Sequence, residues 1–238
     1  MENSERYLNA FNSIENHLKK ICNFDTRATF SQVVNEASKR SSVVRRFEDD
    51  LKEFADLRNA IVHDRGGGYV IAEPNVKAVE TIEQILDVIT KPPKVIPAFQ
   101  VAVLAFDTHT LVSKAVASMA KKKFSQAPIT DNGVFKALFT TDAITRWLGL
   151  NENANGGRIC LSECTIGEVL EYSESLDNFK FISRKATLFE TMEAFHEFEK
   201  QGKRLDAALI TETGKAKEAI IGIVTVADFP KMIQKIGI

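Results

Sequence analysis

The sequence predicts an α+β multidomain chain, an all-α helical bundle followed by two consecutive βαββα units. Three observations predict it. Apolar residues recur at helical spacing through the N-terminal third of the chain. Lys91-Pro92-Pro93-Lys94 then breaks the pattern. Beyond that break, short apolar runs alternate with helical segments, and one pattern occurs twice. Ala127-Pro-Ile-Thr-Asp-Asn-Gly133 and Ala208-Leu-Ile-Thr-Glu-Thr-Gly214 are each an apolar run closed by a polar turn.

In the first part, Tyr7, Leu8, Phe11, Ile14, Leu18 and Ile21 fall three and four apart, on one face of a helix. A shorter helix is expected around Phe30 to Ala37. Val44, Phe47, Leu51, Phe54, Leu57 and Ile61 predict one long helix, ended by Gly66-Gly67-Gly68. Pro74 suits a first helical turn, and Val76, Val79, Ile82, Ile85, Leu86 and Ile89 give the next amphipathic helix. The bundle thus spans 1–90. The prolines of 91–94 remove backbone donors and favour extended chain, which marks a linker.

Two copies follow, over 95–150 and 158–238. In the first, Val101 to Ala105 predicts a strand and Leu111 to Lys122 a helix. Ala127 to Thr130 and Phe135 to Phe139 predict strands about an Asp131-Asn132-Gly133 turn, and Ala143 to Leu148 a helix. The second repeats the order with Phe179 to Ile182, Leu188 to Lys200, Ala207 to Thr211, Ala219 to Thr225 and Lys231 to Ile236. Thr110, Thr130 and Asp142 correspond to Thr187, Thr211 and Asp228. Lys215 to Ala219 lengthens the second hairpin, and a polar loop, Asn151 to Gly157, separates the copies.

The bulk properties narrow the function. A formal net charge of -1 over 238 residues gives no general attraction to nucleic acid or membrane, so any RNA contact needs a local basic patch. Cys22, Cys160 and Cys164 lack the spacing of a zinc site and predict reduced cytosolic thiols without a metal. The polar, charged N-terminus does not read as a signal peptide, and no apolar run would span a bilayer.

Gly222-Ile-Val-Thr-Val-Ala-Asp228, closing the second strand-helix-strand-strand-helix copy, resembles the tandem CBS-domain pair, or Bateman module. Thr165-Ile-Gly-Glu-Val-Leu170 is similar to the lead-in of such a motif. The resemblance implies a pseudo-two-fold module that binds an adenosine nucleotide (AMP, ADP or ATP) as a regulatory ligand. It places Thr225 on phosphate and Asp228 on ribose, with Asp142 as the counterpart in the first copy. Arg184, Lys185 and Arg204 become phosphate partners. A carboxylate can accept from both ribose hydroxyls, and free N–H groups at a helix start suit phosphate. The first copy departs from the pattern, with Phe139 where a Thr is expected, which predicts one competent site. The spacing of Thr225 and Asp228 also fits a helix N-cap that needs no ligand, with Pro230 disturbing the simple version.

In the helical part, Arg58, Asn59 and His63 close the long helix. Asn59 and His63 lie one turn apart, away from the apolar stripe, and Arg58 sits on its flank. This arrangement resembles the HEPN superfamily. That implies a metal-independent endoribonuclease built across a homodimer, in some members a toxin or defence effector. His63 would move protons, Arg58 would stabilise the charged phosphorane and Asn59 would orient one of them or the phosphate. Arg65 stands where some such toxins carry a Tyr. Lys39, Arg40, Arg45 and Arg46 form a further basic segment, read first as a solvated face. The expectation is a cytoplasmic, dimeric regulator whose nucleotide-binding module controls an RNA-cleaving domain. The alternative is a non-catalytic nucleotide sensor whose bundle dimerises or docks a partner.

Overall fold

In the computed structural model, which describes residues 2–24, 27–62, 73–154, 161–173 and 177–237, the chain divides into two units. The first comprises Met1–Pro93, Thr187–Glu193 and Lys231–Ile238. The second comprises Lys94–Ala186 and Ala194–Pro230.

The first unit is helical. In α1 (Asn3–Cys22), Tyr7, Phe11, Ile14 and Leu18 are buried, as their spacing requires. The Tyr7 hydroxyl donates to the Phe54 carbonyl oxygen at 3.0 Å, and burial pushes its phenol well above the usual range. A capping box starts α2 (Phe30–Arg40): Gln32 N–H donates to Thr29 Oγ1 at 3.3 Å, and Thr29 N–H to Gln32 Oε1 at 3.0 Å. The long helix expected from Val44 to Ile61 is two helices, α3 (Ser42–Arg46) and α4 (Glu48–Val62). The chain leaves helical geometry at Phe47, with φ -110° and ψ 18°. The charge order explains the break. Arg45 and Arg46 end α3 while Glu48, Asp49 and Asp50 begin α4, each sign at the helix end its dipole favours. Asn75, not Pro74, starts α5 (Val76–Thr90), its Oδ1 accepting from Ala78 N–H at 2.9 Å.

The core of this unit is completed by later chain. Phe189 is buried within it, its ring edge-on to Phe47 at 6.0 Å, and Ile236 packs against it. Arg45 pairs with Glu193. In sequence Phe189, Glu193 and Ile236 fall within the second copy, and the fold shares them with the helical core. Gly66, Gly67, Gly68, His63 and Arg65 lie outside the described residues.

The second unit opens with the short turn α6 (Val95–Ala98). The strand expected at Val101 to Ala105 is absent as a strand, because its neighbours serve two sheets. Gln100 bridges to Gly222, and Phe106 bridges in parallel to Ile129. There follow α7 (Val112–Lys122), the antiparallel pair β1 (Gln126–Asp131) and β2 (Val134–Thr140), and α8 (Thr141–Ala154), which runs beyond the expected helix into the expected loop. Asn132 and Gly133, both at positive φ (50° and 78°), make the two-residue hairpin turn. The short helix α9 (Ile166–Leu170) sends Ile166 and Val169 into the core of the first copy, not the second.

The second copy is β3 (Phe179–Ser183), α10 (Leu188–Lys200), β4 (Ala207–Thr211), β5 (Gly222–Val224) and α11 (Phe229–Ile236). β3 pairs parallel with β4, and β4 antiparallel with β5, the same senses as in the first copy. The turns repeat too. His109 N–H donates to Asp107 Oδ1 and Thr110 N–H to the Asp107 carbonyl; Lys185 N–H donates to Ser183 Oγ and Ala186 N–H to the Ser183 carbonyl. Phe135 from the first copy packs edge-on against Phe179 and Phe181 from the second, at 4.6 and 5.2 Å between centroids.

Candidate functional site

The turn after β5 is built by three residues. Gly222 lets the chain at Phe99 approach: a β-carbon there would be driven into the Phe99 carbonyl oxygen and lie 2.9 Å from Ile210 Cδ1. Thr225 is extended, and Val226–Asp228 forms a single 3-10 turn before α11 begins at Phe229. Pro230 therefore falls in the first turn of α11, where a missing N–H breaks no helical bond. Asp228 Oδ2 accepts from Thr225 N–H at 2.9 Å and from its hydroxyl at 3.1 Å. The Asp228 carboxylate thus caps the turn. Asp228 remains partly exposed, so its carboxylate can also meet solute hydroxyls.

The strand register corrects the comparison between copies. Ala208 pairs with Val224, and its counterpart Ala127 pairs with Phe139. Phe139 thus corresponds to Val224, and both are fully buried. The residue matching Thr225 is Thr140, whose Oγ1 accepts from Ala143 N–H at 3.1 Å as the cap of α8. The residue matching Asp228 is Ala143, and Asp142 is one position off. The first copy keeps the threonine and lacks the carboxylate.

Register also sorts the predicted cations. Val224 lies opposite Ala208, so Thr225 leaves the sheet at the end where β4 starts, the end that Arg204 and Asp206 precede in the chain. Arg204 Nη1 donates to Asp142 Oδ2 at 3.2 Å, and its Nε lies 2.8 Å from Asp206 Oδ1. Gln126 Nε2 donates to the Asp206 carbonyl oxygen at 2.9 Å. The corresponding ends of the two copies are therefore joined through Arg204, Asp142, Asp206 and Gln126. Arg184 and Lys185 follow Ser183, which pairs with Thr211 at the other end of β4. Strand rise separates those ends by about 13 Å. Arg184 there pairs with Glu212 at 2.9 Å. Sequence reasoning grouped Arg184 and Lys185 with Thr225 and Asp228, and the fold sets the two groups at opposite ends of one strand.

Asp206 and Asn178 were not anticipated. Asp206 Oδ2 accepts from Asn178 Nδ2 at 2.7 Å, and the Asp206 side chain is 13% exposed. The available signal was a carboxylate two residues after Arg204 at the mouth of a strand. In the lengthened hairpin, Glu218 accepts from Thr213 N–H at 2.6 Å and from its hydroxyl. These bonds hold its carboxyl at about 2.

In the helical unit, Arg58 is half-buried and Asn59 exposed. Arg58 Nη1 donates to Asn59 Oδ1 at 3.3 Å, and its guanidinium carbon stands 6.0 Å from the Phe11 ring centroid. His63 lies outside the described residues. The basic segment is largely engaged: Lys39 and Arg40 pair with Glu36, and Arg46 stands over Phe47. Burial pushes the Cys22 thiol up, and Cys160 lies outside the described residues. Among the described residues, no helix is long and apolar enough to cross a membrane, and no group of His, Cys, Asp and Glu is placed to hold a metal.

No protein-family model matches the chain, and no curated protein matches its sequence. Solved structures similar to it include CBS-domain proteins. A CBS-domain-containing protein of unknown function from Kribbella flavida is 14% identical, covering 57% of this chain and 94% of its own, with a TM-score of 0.43. A CBS-domain-containing protein from Agrobacterium tumefaciens is 14% identical over 55% of this chain and 87% of its own, with a TM-score of 0.40. A CBS-domain pair in complex with 5′-methylthioadenosine and S-adenosylmethionine is 14% identical over 60% of this chain and 98% of its own, with a TM-score of 0.41.

Proposed function

We propose that the paired βαββα module is a sensor of an adenosine nucleotide and that the helical domain is its output. The observation that carries this reading is the Thr225–Asp228 turn, at the end of β5 in the second of two copies with matching pairing senses. Asp228 is the ribose ligand and Thr225 a phosphate ligand. Arg204, at the same end of the sheet, exchanges a carboxylate partner for phosphate. Asp142, held by Arg204, lines that end, while Arg184 and Lys185 take a separate role. Titration calorimetry with AMP, ADP and ATP tests this. Binding to wild type that Asp228→Ala removes supports it, and no heat with any of the three overturns it.

For the output, Arg58, Asn59 and His63 support metal-independent cleavage of RNA by a homodimer. Attack of the 2′-hydroxyl on the adjacent phosphate would use His63 for the proton and Arg58 for the phosphorane charge. The contacts of Arg58 with Asn59 and Phe11 favour a second reading, a non-catalytic bundle that docks a partner. Incubation with RNA in chelator, with and without nucleotide, separates the two. Cleavage abolished by His63→Ala identifies the enzyme; its absence under every nucleotide identifies the docking domain.

A further inference from the structure

We infer that the helical unit reads the ligand state of the paired module through two segments of the second copy that belong to its own core. This rests on the nucleotide-sensing reading above. Two routes out of the second copy's sheet, after β3 and after β5, enter that core. After β3 the chain turns at Arg184–Ala186 and enters the helical unit at Thr187. There Leu188 N–H donates to the Pro93 carbonyl at 2.8 Å, Phe189 is buried beside Phe47, and Glu193 pairs with Arg45. After β5 the chain forms the Thr225–Asp228 turn and α11. From Lys231 onward it belongs to the helical unit, where Ile236 packs on the core.

The candidate ligand turn and a core-packing residue are therefore the two ends of one short helix. An eight-residue helix is about 12 Å long and moves as a stiff body. Ligand on Asp228 competes with the two hydrogen bonds from Thr225, which set where α11 begins. Close-packed cores accommodate such a shift by changing between discrete packings, so occupancy of the turn biases the helical core. By linkage, the state of that core alters ligand affinity by the same factor.

Hydrogen exchange of the full chain with and without AMP or ATP tests this. Ligand at a hundred times its Kd slows amides that exchange by coupled opening by up to about 100-fold. That slowing is expected in α1 and α4 as well as around β5. Ile236→Ala, at a partly exposed position, should keep nucleotide affinity within a factor of about 2 and lose most of the slowing in α1 and α4. Phe189→Leu, which keeps most of the buried volume, should weaken it in the same direction. Nucleotide binding that leaves α1 and α4 unchanged in wild type overturns the coupling and spares the sensing reading. Full transfer persisting in both variants overturns the route proposed here. No binding of any nucleotide overturns the sensing reading and the coupling with it.

Discussion

A single oxygen of Asp228, Oδ2, accepts both hydrogen bonds that Thr225 offers, from its N–H at 2.9 Å and its hydroxyl at 3.1 Å. The same carboxylate is thus a structural cap and the proposed ribose ligand. These roles separate by substitution. Asp228→Ala removes both, and loss of the cap should destabilise the protein by about 0.5–2 kcal/mol in urea titration. Asp228→Asn keeps an acceptor for the Thr225 N–H and should recover most of that stability. It lacks the charge that favours two ribose hydroxyls, so calorimetry should still show weakened binding. Equal affinity in Asp228→Asn and wild type would assign Asp228 to the cap alone.

Arg204 and Arg184 should behave differently. Arg204 stands at the end of the sheet where Thr225 leaves it, and Arg184 at the other. Arg204→Ala is expected to change AMP affinity about tenfold or more, the scale of one charge-assisted contact. Arg184→Ala, which breaks only an exposed pair with Glu212, should leave affinity within about twofold. Loss of binding in Arg184→Ala would show that the register-based grouping is wrong.

Gly222→Ala should destabilise the second unit by about 1–3 kcal/mol, the cost of forcing atoms into a filled space. The new β-carbon has nowhere to go between Phe99 and Ile210, and the obstacle at Phe99 is backbone. A lower urea midpoint with an unchanged m-value is the expected result. An unchanged midpoint would mean that the Phe99–Val101 segment moves freely off β5.

Glu218 gives a pH prediction. The Thr213 hydroxyl first, and then its N–H, lower the folded carboxyl from the ordinary 4.5 to about 2. A depressed folded value contributes stability that is present above pH 4.5 and lost as the pH falls toward 2. Glu218→Gln should therefore flatten the acid limb of the urea midpoint between those values. The change will be small, because the group is exposed and water screens it. Identical acid limbs in the two proteins would remove Glu218 from the set of stabilising carboxylates.

Much of this architecture could be read from residue order. The buried faces of α1 and α5 follow from apolar spacing, because a helix places residues three and four apart on one side whatever it packs against. The Asn132-Gly133 turn was legible because few residues accept positive φ. The candidate site was legible only in part. Asp142 was matched to Asp228 because carboxylates are conspicuous in a sequence. Cross-strand pairing, which is not conspicuous, matches Ala143 to Asp228 and Thr140 to Thr225. The irregularity between Ile129 and Thr130 belongs to the same class of feature, an extra residue that shifts every later comparison by one.

The sequence by itself determined the helical half, the repeated strand-turn-strand pattern and the Thr225–Asp228 cap, since each depends on residues a few positions apart. Only the tertiary structure decided that Phe139 is the buried match of Val224, that Arg204 joins Asp142 to Asp206, and that Phe189 and Ile236 complete the helical core. Those outcomes depend on which distant surfaces and strand edges satisfy one another at once. Such a choice is made by the summed packing and hydrogen bonding of the folded chain, and no local window of sequence contains it.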